Sequence, residues 1–152
     1  MPEPFGLSTI GQIALTVRDL DRSIAFYRDI LGMKVLWDSV QAGVRYGGPV
    51  SDRITGCPGT EQHIVFLGLG ESFLELVEYT PTGKPLKGNK ASDTGSFHLC
   101  FKTDDIQALH ARLLENKAAV HCSPQEGISQ WVMYFRDPDG IILEAIEGKT
   151  KV

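Results

Sequence analysis

Phe73-Leu74-Glu75-Leu76-Val77-Glu78 and Ile142-Leu143-Glu144-Ala145-Ile146-Glu147 repeat one pattern, two apolar residues and a glutamate, twice over, at two distant places in the chain. Each hexapeptide reads as a strand, and the segments leading into each correspond as well. Before the first, Gln12–Val17 alternates, with Ile13, Leu15 and Val17 on one face and Gln12, Ala14 and Thr16 on the other. Asp19 suits a helix N-cap, and Leu20, Ile24, Tyr27 and Leu31 form an apolar stripe. Gly32 supplies the residue that a left-handed C-terminal cap prefers. Met33–Val40, His63–Leu69 and Ser72–Tyr79 read as three further strands, and Ala42–Thr60 as a long loop rich in Gly and Pro.

The order then starts again. Ser96–Phe101 reads as a strand, Asp104 or Asp105 caps a helix striped by Ile106, Leu109 and Leu113, and Val120–Ser123, Trp131–Phe135 and Ile141–Ile146 read as strands. Asp137-Pro138-Asp139-Gly140 joins the last two, with Pro presetting φ and Gly accepting a positive one. The expected fold class is therefore α+β, a βαβββ module used twice: module 1 at about 8–80 and module 2 at about 95–148 of a single domain, 1–152.

A chain of 152 residues has the length of one domain, and 42% hydrophobic with 22% charged residues is an ordinary globular composition. The net charge of −4 argues against nucleic acid as a partner, because no basic excess is available to neutralise phosphates. The longest apolar run, Ile64–Leu69, is far too short for a membrane span. Residues 1–11 carry neither a basic nor an apolar signal region. Cys57, Cys100 and Cys122 lie far apart and read as reduced thiols, which places the protein in the cytoplasm as an expectation.

Glu75 and Glu144 are the anomalies. Glu75 shares its strand face with Phe73 and Val77 while Leu74 and Leu76 take the other; Glu144 shares its face with Ile142 and Ile146 while Ile141, Leu143 and Ala145 take the other. A carboxylate on a strand apolar on both faces must be protonated, paired or bound to a cation. A buried ion pair or an edge strand in solvent would explain either glutamate alone. Two at matching places in two repeats point instead to one shared point. Gln12 and His98 hold equivalent places in the first strand of each repeat, on the faces away from the apolar residues. The four together offer one nitrogen and three oxygen donors and no thiolate, a set for an open divalent ion rather than a closed structural zinc site. Zn, Ni, Co and Mn all fit that softness.

His63, His110 and His121 have no spaced partner and read as structural or surface residues. Cys100, two residues after His98, lies on its face. Lys84, Lys87 and Lys90 make Pro81–Gly95 basic, and Arg45 and Arg53 lie in the long loop; each reads as solvated, or as a holder of an anionic substrate tail. No nucleophile motif, phosphate loop or dinucleotide fingerprint is present. Substrate-binding residues are not assigned.

The run from Gln12 through Val17-Arg18-Asp19-Leu20 to Phe26-Tyr27 and Gly32 resembles the opening of the vicinal oxygen chelate superfamily. Gly95-Ser96-Phe97-His98 followed by Asp104-Asp105-Ile106 resembles its fifth-strand signature, and Tyr134 to Gly140 running on to Glu144 its last hairpin. The superfamily holds glyoxalase I, methylmalonyl-CoA epimerase, extradiol dioxygenases, and fosfomycin and bleomycin resistance proteins. The resemblance implies paired βαβββ modules curled into a metal-binding cup, a homodimer, and metal ligands at Gln12, Glu75, His98 and Glu144. Gln in the first place is similar to the eukaryotic type of glyoxalase I; the dioxygenases and fosfomycin enzymes carry two His and one Glu there, and the bleomycin-binding members no metal. Glu75 stands where acyl-CoA epimerases tend to carry Gln.

That likeness implies a metal-dependent lyase or isomerase of a small molecule, in which a divalent ion stabilises an enediolate and a carboxylate moves the proton. Glu144 is the first choice for that base and Glu75 the second. An epimerase on the same fold, an enzyme of a specialised biosynthetic intermediate, and a non-catalytic protein that sequesters a drug or metabolite are the alternatives.

Overall fold

The two repeated hexapeptides form equivalent strands in two separate sheets. The structure is a computed structural model, which describes Gly6 and residues 9–148. Its elements run β1 (Ala14–Val17), α1 (Leu20–Ile24), β2 (Lys34–Asp38), α2 (Gly48–Thr55), β3 (Glu61–Leu69), β4 (Ser72–Thr80), β5 (His98–Lys102), α3 (Ile106–Glu115), β6 (Gln125–Glu126), β7 (Gln130–Arg136) and β8 (Ile142–Gly148). One sheet has the order β1-β4-β3-β2 and the other β5-β8-β7-β6. In each, the first strand runs parallel to the last and the remaining pairs are antiparallel.

The duplication reaches the register of the ladders. Ala14, two residues after Gln12, pairs with Glu75; Cys100, two residues after His98, pairs with Glu144. Across the neighbouring hairpin Glu75 faces Phe66, and Glu144 faces Tyr134. The α+β class and the doubled module are thus present in the hydrogen bonds themselves.

The chain divides into two compact units: the first takes the chain through Leu20 together with Gly32–Thr82, the second Asp21–Leu31 together with the chain from Gly83. Most of the first repeat's helical segment therefore groups with the second unit, which the module boundaries read from sequence do not anticipate. Within the first unit one sheet face is closed by Leu15, Val65, Leu67 and Leu76, all 1% exposed or less. Within the second, Met133, Phe135, Leu143 and Ala145 do the same, with Ile106 and Leu113 of α3 buried beside them. Side chains alternate along a strand, so Glu75 and Glu144 lie on the other face of each sheet.

The helical segment after Asp19 departs from the expected stripe. The chain widens into a π turn over Ala25–Ile30, with Leu31 N–H donating to Phe26 C=O, five residues back, at 3.2 Å. The extra residue per turn rotates the buried face, so Leu20, Ser23, Phe26 and Tyr27 are buried while Ile24 and Leu31 are half-buried. Gly32 has φ +79°, as the left-handed cap requires. Asp105 caps α3, accepting the Ala108 N–H at 2.8 Å.

Two further expectations are corrected. Ala42–Thr60 is not all loop: it contains α2, with Pro49 in its first turn and Gly56 in the left-handed conformation at its end. None of its residues is buried: Val50 and Ile54, one helical turn apart, both face away from the core. Val120–Ser123 is not a strand. Val120 makes one bridge to Phe135 and His121 N–H bonds Tyr134 C=O, then Pro124, which has no N–H, interrupts and pairing resumes at Gln125. The turn at Asp137 is as expected, with Gly140 at φ +88° donating to Asp137 C=O. No helix among the described residues is long and apolar enough to cross a membrane.

Candidate metal centre

In the first unit Glu75 sits mid-strand on β4, 7% exposed, flanked in register by Ala14 and Phe66. Its own N–H donates to Ile13 C=O at 2.9 Å, which holds the segment just before β1 against β4. The Gln12 side-chain amide donates to Glu75 Oε2. Phe66 lies between Trp37 (ring centroids 5.5 Å) and Phe73 (5.8 Å, edge-on), so the surroundings of Glu75 are aromatic. Burial pushes the Glu75 carboxyl above the ordinary range, and no cation among the described residues pulls it back. Among the described residues no ion pair accounts for Glu75 as a purely structural residue.

In the second unit His98 Nε2 lies 3.1 Å from Glu144 Oε2. The Glu144 side chain is 15% exposed and that of His98 40% exposed, so the pair faces accessible space. Tyr134 closes one side: its ring centroid is 5.2 Å from that of His98 and its hydroxyl 3.5 Å from Nε2. Cys100 closes the other. Its thiol is pushed up to about 11, first by burial and then by the charge and hydrogen bond of Glu144, which makes it a neutral donor to that carboxylate rather than a nucleophile. Tyr134 is likewise raised, by burial and then by Glu144 and Cys100.

The four residues singled out in the sequence are thus joined as two pairs, Gln12 with Glu75 and His98 with Glu144. No group of three or more His, Cys, Asp and Glu side chains that could hold a metal ion is gathered among the described residues. Each pair offers one amide or imidazole and one carboxylate, the carboxylates coming from equivalent ladder positions. A half-turn of the Gln12 amide presents its oxygen in place of its N–H. This donor chemistry, and a buried carboxylate with no cation beside it, fit a divalent ion.

Tyr134 was missed in the sequence, although the signal existed: counting outward from the Asp137–Gly140 turn places Tyr134 opposite Glu144. His63 also has a partner that spacing did not reveal, Asp38, at 2.9 Å across β2 and β3. Arg136, beside the second pair on β7, is fully engaged, donating to Asn89 C=O, Asn89 Oδ1, Gly140 C=O and His121 Nε2. Lys84, Lys87 and Lys90 are exposed.

Residues 9–145 match the profile of the Glyoxalase/Bleomycin resistance protein/Dioxygenase superfamily. The lactoylglutathione lyase of Haemophilus influenzae is 32% identical over 140 residues, covering 90% of both chains. That of Schizosaccharomyces pombe is 27% identical over 93% of this chain, which spans 48% of that relative's length. The 2-epi-5-epi-valiolone epimerase of an Actinomyces species is 29% identical, covering 93% of this chain and 80% of that one. Among solved structures, a glyoxalase family protein from Bacillus cereus superposes with a TM-score of 0.81 at 22% identity, covering 97% of this chain and 98% of that one, a likeness of fold.

Proposed function

The chain belongs to the Glyoxalase/Bleomycin resistance protein/Dioxygenase superfamily, and on that premise we propose that it is a divalent-metal-dependent lyase or isomerase of the glyoxalase I type, acting on a small molecule at a carbon next to a carbonyl. The observation that carries this is the buried Glu75, bonded to Gln12 with no cation beside it among the described residues, matched in the second repeat by Glu144 beside His98. We assign these four residues as ligands of one Zn, Ni, Co or Mn ion per chain. When bound, such an ion supplies Lewis acidity that stabilises negative charge developing on neighbouring substrate oxygens.

Glu144 is assigned as the base that takes the proton, with Glu75 as the second choice. Glu144 is the more accessible of the two, and its hydrogen-bond partners leave it free to act. Cys100 donates to it without competing for the proton, and Tyr134 and His98 orient it from the neighbouring strands. Returning the proton to the adjacent carbon isomerises the substrate. Returning it to the opposite face of the same carbon epimerises it, and the likeness to the Actinomyces epimerase favours that second outcome as the alternative. The same proposal has the protein working as a cytoplasmic homodimer. Its three cysteines are all free and exposed, which suits a reducing compartment.

The test is metal analysis of the purified protein together with turnover of the glutathione hemithioacetal of methylglyoxal and of methylmalonyl-CoA, with and without chelator. About one ion per chain, and turnover that chelator abolishes and added metal restores, support the proposal. Glu144→Gln should keep most of the metal and lose turnover. A protein that takes up none of the four metals overturns it. Tight ligand binding indifferent to chelator, without turnover, makes the protein a sequestering module.

A further inference from the structure

The first unit contains a cavity at the start of β3, none of whose lining residues is Gln12 or Glu75. It has a volume of about 370 Å³ and opens between the chain segment Val40–Tyr46 and that strand. Its walls are pinned in place. Ser39 N–H donates to Ile64 C=O at 2.9 Å, Val44 N–H to Ser39 C=O at 2.8 Å, and Gln62 N–H to Tyr46 C=O at 2.8 Å. Asp38 accepts from the Val40 and Gln41 N–H groups and holds the His63 ring, so the segment is locked to β3 from both ends.

Two opposite charges line this cavity without being used. Arg45 and Glu61 are both among its walls, and neither makes an ion pair with the other or with any described residue. Val40, Val44 and Tyr46 present apolar surface between them. A plain anion would meet Glu61 and a plain cation would meet Arg45. A ligand carrying both signs satisfies both at once. The volume lies at the small end of ligand pockets.

We propose that this cavity binds a small zwitterion with an apolar side chain, of the free α-amino acid class. Its carboxylate goes to the Arg45 guanidinium, its ammonium to Glu61, and its side chain lies against Val40, Val44 and Tyr46. The site is independent of the metal centre, sharing no residue with it.

The experiment is calorimetric titration of the full chain with three probes: L-leucine, N-acetyl-L-leucine, which lacks the ammonium, and L-leucinamide, which lacks the carboxylate. L-Leucine is expected to bind at least about tenfold more tightly than either blocked form, because each removes a charge-assisted contact. Arg45→Ala and Glu61→Gln should each weaken it about tenfold or more with an unchanged circular dichroism spectrum, and Arg45→Lys should recover part of the loss. Glu144→Gln should leave it unchanged, so that failure here and failure of the metal centre are separate results. Equal binding of leucine and either blocked probe overturns the proposal, as does the absence of leucine binding up to about 10 mM.

Discussion

Glu78 and Glu147 hold the same place in the two repeats: each carboxylate accepts the backbone N–H that opens its repeat's helix, from Leu20 and from Ile106, both at 2.7 Å. The last letter of the repeated hexapeptide is therefore a cap supplied from a neighbouring strand, not a surface charge. It satisfies an orphan donor and sets negative charge at the positive end of a helix. Glu78→Ala and Glu147→Ala are each expected to cost about 1–2 kcal/mol in urea unfolding, and the Gln variants, which keep an acceptor, about half as much. Alanine variants as stable as the parent would remove this role.

Asp137, buried in the last hairpin turn, receives the Tyr27 hydroxyl at 3.1 Å and the N–H groups of Asp139 and Ile141. Burial raises its carboxyl above the ordinary range, more than those donors lower it. A raised folded-state value adds stability that is fully present below the unfolded value, near 4, and is lost as pH rises through the folded one. Asp137→Asn keeps an oxygen for both N–H groups and offers its amide to the tyrosine oxygen. It should flatten this part of the pH dependence while staying within about 1 kcal/mol of the parent at pH 7, read from urea midpoints across a pH series. A loss of several kcal/mol would contradict it.

Asp38 behaves in the opposite sense. Burial raises its carboxyl, but the bonds from His63 and from the Gln41 and Val40 N–H groups together bring it below the ordinary range. Its stabilisation is present above the unfolded value and lost as pH falls through the lowered one. His63→Gln weakens the charge-assisted contact and should move that acid loss to higher pH. Hydrogen exchange at Val40, Gln41 and Val44 reads it locally, and an unmoved acid transition would show that the pair does not hold the segment.

Glu75→Gln separates stability from metal binding. With the buried charge gone and an amide facing Gln12, the metal-free protein should be at least as stable as the parent. Its affinity for added Zn, Ni, Co or Mn should fall about tenfold or more. Undiminished affinity would take Glu75 out of the ligand set.

The duplicated ladder was legible because strand alternation is local: once Leu74 and Leu76 occupy one face, Glu75 is forced onto the other. The same counting from a recognised turn sets Tyr134 opposite Glu144. It fails where the backbone departs from regular periods. The π turn at Ala25–Ile30 changes which residues face inward, α2 is a short helix set among Gly and Pro residues that buries nothing, and Pro124 interrupts the pairing begun at Val120.

Sequence by itself determined the doubled βαβββ order, the family, the two glutamates out of keeping with their strands and the Gln12 and His98 that match them, since all rest on spacing along the chain and on side-chain chemistry. Tertiary structure alone decided what each polar group meets. Glu78 and Glu147 became helix caps, His63 and Asp38 a pair across two strands, Cys100 a donor to Glu144, and Asp21–Leu31 part of the second unit. Such contacts depend on register and on how a segment packs across long separations, and no local pattern encodes them.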